Sequence, residues 1–147
     1  MTADRFVLDT NVVIQLLRGR AIGQQIDARF RLLAAPTTPM ISAVSLGEAR
    51  SLARQWGWTA ERVARLHELL SRLIVVDIRS EPILRFYAEI DHLSKDAGRK
   101  MNPNDVWIAA TSAATAATLL TTDKDFDHLD SSTVQRIWID PQNPAGS

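Results

Sequence analysis

At 147 residues the chain has the length of one domain with room for a proper core. Its 46% hydrophobic and 23% charged residues are ordinary for a globular protein, and 17 basic against 17 acidic residues leave no bulk charge that would announce a nucleic-acid binder. The lack of cysteine excludes disulfides and thiol chemistry, no apolar run reaches membrane-span length, and the opening MTADRFVLDT has none of the regions of a signal peptide, so a cytoplasmic location is expected.

Residues 5–9 predict a first strand, with Phe6, Val7 and Leu8 running apolar into Asp9 as in a strand covered on both faces. Asp9, Thr10 and Asn11 end it, and Val12, Val13, Leu16 and Leu17 recur at helical spacing as far as Gly19, a natural stop. Residues 21–34 predict a second helix with Ile22, Ile26, Phe30 and Leu33 on one side, and Pro36 and Pro39 bracket a loop before a short second strand, 40–42. Ser42 or Ser45 caps the next helix, whose inward stripe is Leu46, Ala49, Ala53 and Trp56; Glu48 lies off that stripe near the helix start. Gly57 breaks this helix, and Thr59 starts another that buries Val63, Leu66, Leu70 and Leu73. Residues 74–77 form a third strand, and 81–96 a long helix packing through Ile83, Phe86, Tyr87, Ile90 and Leu93.

The stretch 101–129 is the most informative. Asn102, Pro103 and Asp105 open a helix as cap, first-position proline and first-turn acid. Val106, Ala109, Ala110 and Ala113 give it an apolar face thin enough to lie close against a sheet. A buried strand, 118–121, runs straight into the acidic turn Thr122, Asp123, Lys124 and Asp125. Residues 136–140 predict a last, edge-like strand, and 141–147 a frayed, flexible tail to a single domain spanning 1–147.

Strands separated by helices predict an α/β fold in three layers, with a mostly parallel central sheet flanked by helices on both faces. Right-handed crossovers bring the C-terminal ends of the strands to one edge, where such sheets bind ligands at the reversal of strand order. Asp9 ends the first strand and Asp123 follows the fourth, while Glu48 and Asp105 lie early in helices that can approach the same edge. Ionised carboxylates held together repel one another, and protons or cations must relieve this. An oxygen-only site suits Mg2+ or Mn2+, whereas zinc favours His and Cys. One or two such ions can promote phosphodiester hydrolysis without a nucleophilic triad. His67, His92 and His128 lie on different elements without metal-ligand spacing and read as surface or boundary residues.

The LDTNVVI opening, the element from Ser42 to Glu48, the NDVWIAA helix start and the LLTTDKDF turn together resemble a PIN-domain ribonuclease, most closely the toxins of bacterial VapBC toxin–antitoxin modules. The likeness runs from Arg5 to about Ile139, with the motifs in the family's order. It implies a divalent-metal-dependent endoribonuclease in which Asp9, Glu48, Asp105 and Asp123 match the acidic quartet and Asp125 is a further candidate ligand. Thr10, Asn11 and Thr122 match supporting polar positions. The implied partners are RNA, a small antitoxin protein and a second copy of the chain. Because an acidic cleft repels RNA, Arg99, Lys100 and Lys124, which flank Asp105 and Asp123 in sequence, are expected to hold phosphates; for Arg18 and Arg20 an ordinary solvated surface serves as well.

Each acid taken singly also has a plainer reading. Asp9 suits an N-cap, Asp105 the acid of a capping box begun by Asn102, Glu48 a box with Ser45, and Asp123 and Asp125 a turn. Caps do not explain why all four of the quartet fall on one edge. Trp56 and Trp107 read as core or interface filling rather than as base-stacking platforms. The competing functions are a magnesium-dependent phosphohydrolase, disfavoured because Thr10 and Asn11 follow Asp9 where an Asp-x-Asp pair is wanted, and a non-catalytic scaffold binding RNA or protein, disfavoured because no acid of the quartet is missing.

Overall fold

Apolar strands and amphipathic helices alternate along the chain. The structure, a computed structural model, describes residues 4–34 and 38–146. Its strands are β1 (Phe6–Leu8), β2 (Met40–Ser42), β3 (Ile74–Val76), β4 (Thr118–Thr121) and β5 (Arg136–Trp138). They form one sheet in the order β3-β2-β1-β4-β5, parallel at every pairing. The helices are α1 (Thr10–Arg18), α2 (Ala21–Phe30), α3 (Ala43–Gln55), α4 (Ala60–Ser71), α5 (Glu81–Asp96) and α6 (Pro103–Thr115). None is long and apolar enough to cross a membrane.

Successive strand side chains point to opposite faces, so the sheet carries two cores. Leu8, Ile41 and Leu120 pack with buried residues of α1 to α4, among them Val12, Ile26, Ala53 and Leu66. Val7 and Leu119 pack on the other face with Ile83 and Ile90 of α5 and with Val106, Ala109 and Ala110 of α6. Ala109 and Ala110 of α6 are fully buried and Ala113 partly so, as the thin face in the sequence requires. From β1 the chain steps outward to β2 and β3, then returns past β1 to β4 and β5. Strand order therefore reverses between β1 and β4, and the crevice beyond their C-terminal ends is where such a sheet offers a site.

Three expectations meet a different outcome. α2 stops at Phe30, short of residue 34, because Arg31 turns left-handed (φ 54°) and the Asp27 carboxylate accepts a hydrogen bond from the Leu33 N–H at 2.9 Å. Trp56 is not on the buried stripe of α3: the helix ends at Gln55, the backbone departs from helical geometry, and the indole is 46% exposed. Leu93, at the margin of the buried face of α5, is exposed as well. Beyond β5, Pro144 is buried and its carbonyl accepts from Arg29 of α2 at 3.4 Å. The loop expected between Pro36 and Pro39 lies largely outside the described residues.

Helices α1 and α2 approach closely at Gly23, where a β-carbon would sit 2.1 Å from the Gln15 carbonyl oxygen. Gly23→Ala must push these helices apart and is expected to lower stability by about 2 kcal/mol. Gly47→Ala, at an exposed position of α3 with open space around the missing β-carbon, should instead raise it by about 0.5–1 kcal/mol. Urea denaturation of the two variants checks both signs.

Candidate metal centre and active-site cleft

The cleft begins where β1 hands over to α1. Asp9 is the N-cap of α1, in extended backbone geometry, and its Oδ1 accepts from the Thr10 N–H at 2.8 Å. Its own N–H donates to the Leu120 carbonyl at 2.9 Å, which continues the β1–β4 pairing one residue past the strand. The fully buried Thr121, last residue of β4, donates its hydroxyl to Asp9 Oδ2 at 2.7 Å and accepts the Asp123 N–H on the same oxygen at 2.9 Å. One hydroxyl thus ties the two acids at the switch point. Asn11 adds a second clamp: its amide nitrogen donates to Asp9 Oδ2 at 3.3 Å, and its Oδ1 accepts the Thr122 N–H at 3.3 Å.

Glu48 reaches the crevice from α3, which Ser42 caps through the Val44 N–H. Its Oε1 accepts the Thr10 hydroxyl at 2.7 Å and its Oε2 the Asn104 amide at 3.3 Å, so the carboxylate bridges α1 and α6. Asp105 comes from the first turn of α6, whose cap is Asn102 with its Oδ1 accepting the Asn104 N–H at 2.9 Å. Among the described residues no hydrogen bond joins Asp105 to the Asn102 backbone, so the capping box is not formed. Asp9, by contrast, is a cap and lines the cleft as well.

Asp9, Glu48, Asp105 and Asp123 all line one cleft of about 400 Å3, together with Thr10 and Asn11. Asp125, which lines a neighbouring pocket, joins two of these acids: Asp105, Asp123 and Asp125 each present an oxygen, all within 4.8 Å of one another. Asp9 and Glu48 stand differently, their oxygens already engaged by hydroxyl and amide donors. A donor set made only of carboxylates fits a hard divalent cation. Thr122 contributes backbone, its carbonyl accepting the Trp138 indole N–H at 3.0 Å. Arg99, Lys100 and Lys124 do not line this cleft. They line a neighbouring pocket of about 280 Å3 together with Asp125 and His128, and the Lys124 ammonium lies 4.5 Å from the Trp138 ring centre. His128 is half-buried beside Ser94, whose hydroxyl is 2.8 Å from Nε2, while His67 and His92 are exposed.

Known proteins sharpen this picture. A family model of the PIN domain matches residues 6–131. The chain belongs to the PIN-domain family. It is 31% identical over 128 residues to Ribonuclease VapC5 of Mycobacterium tuberculosis, covering 84% of this chain and 87% of that one. Its fold is similar to that of VapBC2 from Rickettsia felis bound to a promoter DNA fragment, with TM-score 0.77 and 23% identity over 90% of this chain and 97% of that one. It is also similar to VapBC-5 from Mycobacterium tuberculosis, with TM-score 0.67 and 25% identity over 94% of this chain and 100% of that one.

The electrostatics of this PIN domain follow from burying like charges together. Burial is the main cause that lifts the Asp9 carboxyl from 3.8 to about 6; Glu48 and Asp123 push it further, while the hydrogen bonds from Thr121 and Thr10 hold it down. Asp105 rises to about 7, through burial first and then the charges of Asp9, Asp123, Glu48 and Asp125. Asp125 is raised chiefly by the charge of Asp123. Reading the sequence alone missed Thr121, Asn104 and the cleft-lining Trp56, whereas Arg18, weighed there against an ordinary solvated surface, does line the cleft. Thr121 becomes visible only from the Leu8–Leu120 register, which sets it opposite Asp9.

Three tests follow from this geometry. Between pH 3.8 and about 7 the folded state holds protons on Asp9 and Asp105 that the unfolded chain has released, so stability falls as pH rises through that window. In EDTA the melting temperature should be lower at about pH 8 than at about pH 5, and Mg2+ or Mn2+ should restore it. Asp105→Asn should raise the melting temperature by about 2–6 °C at the alkaline end only, the figure being reduced for the partial exposure of the carboxyl. Thr121→Val, which keeps shape but strips both acids of their shared hydroxyl, should cost about 1–3 kcal/mol in urea denaturation.

Proposed function

We propose that this PIN domain is a divalent-metal-dependent endoribonuclease that hydrolyses phosphodiester bonds of RNA and serves as the toxin of a toxin–antitoxin pair. The observation that carries the reading is an oxygen-only acid cluster at the switch point of a PIN domain 31% identical to a ribonuclease. Asp105, Asp123 and Asp125 would hold Mg2+ or Mn2+, one or two ions, with Asp9 and Glu48 completing the acidic lining. When bound, such an ion supplies charge neutralisation and Lewis acidity toward a phosphodiester.

The chain's own residues orient the reactants. Thr10, Asn11 and Thr121 lock the Asp9 carboxylate in place, and Thr10 and Asn104 do the same for Glu48. These fixed carboxylates orient an attacking water and can accept its proton, while Thr122 braces the acidic turn through its backbone. Arg99, Lys100 and Lys124 grip phosphates beside Asp125, where the acids themselves would repel the chain. A small antitoxin restrains the enzyme in the cytoplasm, in keeping with the complexes that share its fold. The exposed Ile74 and Val75 of edge strand β3 offer apolar surface for a second copy.

The test is cleavage of total cellular RNA by purified protein with Mg2+ or Mn2+, with EDTA, and with Asp9→Asn. Discrete fragments are expected only with the metal, and Asp9→Asn should slow their appearance by about a hundredfold or more. Identical RNA profiles in every lane, from folded and antitoxin-free protein, would overturn the reading.

A further inference from the structure

The acidic cleft has a second end with a different chemistry. Opposite its carboxylates it is lined by Ile14, Leu52, Trp56 and Arg18, and Arg18 is the one cation among the described residues that line it. The backbone N–H of Trp56 donates to the Leu52 carbonyl at 2.9 Å, and the Trp58 ring lies beside the Trp56 indole at 5.7 Å between centres, tilted by 45°. Trp58 is itself half-buried against the first core and covered by the Arg62 guanidinium at 4.6 Å. The Arg18 guanidinium lies 5.2 Å from the centre of the Trp56 ring. A large aromatic surface is thus left 46% exposed inside the cleft that carries the acids.

Proteins that bind single-stranded nucleic acid pair such rings with cations, the ring stacking a base and the cation meeting the backbone. Stacking also answers a physical difficulty of this cleft. Carboxylates repel phosphates, but a neutral base stacked on an indole is not repelled by them, and one guanidinium beside the ring can take the adjoining phosphate. We propose that Trp56, with Arg18, is the stacking platform for a base next to the scissile phosphate of single-stranded RNA. This rests on the ribonuclease reading and adds to it a residue that positions the substrate.

The test is steady-state cleavage of a labelled single-stranded RNA of mixed sequence, with Mg2+ or Mn2+, by wild type, Trp56→Ala, Trp56→Phe and Arg18→Gln. Trp56→Ala should raise KM about tenfold with kcat within about twofold, and Trp56→Phe should recover most of the loss. Arg18→Gln should raise KM and flatten its salt dependence. On an RNA carrying an abasic residue beside the cut, wild type and Trp56→Ala should become equal. Because Trp56 is exposed, its variants should melt within a few degrees of wild type, which separates binding from folding. Cleavage with an unaltered KM in Trp56→Ala would overturn the platform and leave the ring to a protein partner. No cleavage even by wild type would overturn the ribonuclease reading itself, and the platform with it.

Discussion

The hydroxyl of Thr121 sits between two carboxyl-bearing residues that the chain places 114 positions apart by number, Asp9 and Asp123, donating to one and accepting the backbone N–H of the other. That group adds a side-chain tie to the β1–β4 ladder at the point where strand order reverses, and it sets both acids in place. Asp9 can be buried only because donors surround it: the Thr121 hydroxyl, the Thr10 N–H and the Asn11 amide. A carboxylate buried without them would be protonated or would force the crevice open. The same hydroxyl fixes where the Asp123 turn leaves the strand, and so where Asp123 and Asp125 stand relative to Asp105.

The site is held together against its own charge. Burial and mutual repulsion lift the Asp9 and Asp105 carboxyls to about 6 and 7, the kind of perturbation that marks functional clefts. The two cores supply the restraint. α1 and α3 are anchored beneath one face by Val12, Val13, Ala49 and Ala53, and α6 beneath the other by Val106, Ala109 and Ala110. Glu48 then stitches α1 to α6 across the crevice through Thr10 and Asn104. Charged and aromatic functions are divided in space: carboxylates over the switch point, basic residues beside Asp125, and an indole with its guanidinium at the far end.

Much of this was legible along the chain. Short apolar runs ending in Asp9 and Thr121, with helical stripes between them, are enough for a parallel sheet, because a strand covered on both faces leaves no polar alternation. The Asn102 cap, Pro103 and Asp105 announced α6, and its alanines announced close packing on the sheet. The convergence of Asp9, Glu48, Asp105 and Asp123 followed from topology alone. Trp56 was misplaced because helical periodicity was carried one residue beyond the end of α3, where the backbone no longer obeys it. α2 was drawn too long because Asp27 diverts the chain with its own side chain, a local competition that hydrophobic spacing does not register.

The sequence by itself determined the class of fold, the order of its elements and the sheet edge on which Asp9, Glu48, Asp105 and Asp123 lie, because these depend on periodicity, caps and the rule that parallel strands end on one side. Only the tertiary structure decided which neighbours complete the site. Adjacent strand residues face opposite ways, so whether Thr121 or Thr122 turns its hydroxyl to Asp9 depends on register, and register is a relation between strands distant in sequence. Asn104 meets Glu48 only because α3 and α6 come together at the crevice. Arg99 and Lys100 precede Asp105 closely in the chain yet line the pocket next door, because the chain turns sharply into α6 at Asn102 and Pro103. Nearness along a chain does not decide the side of a ridge on which a long side chain comes to rest.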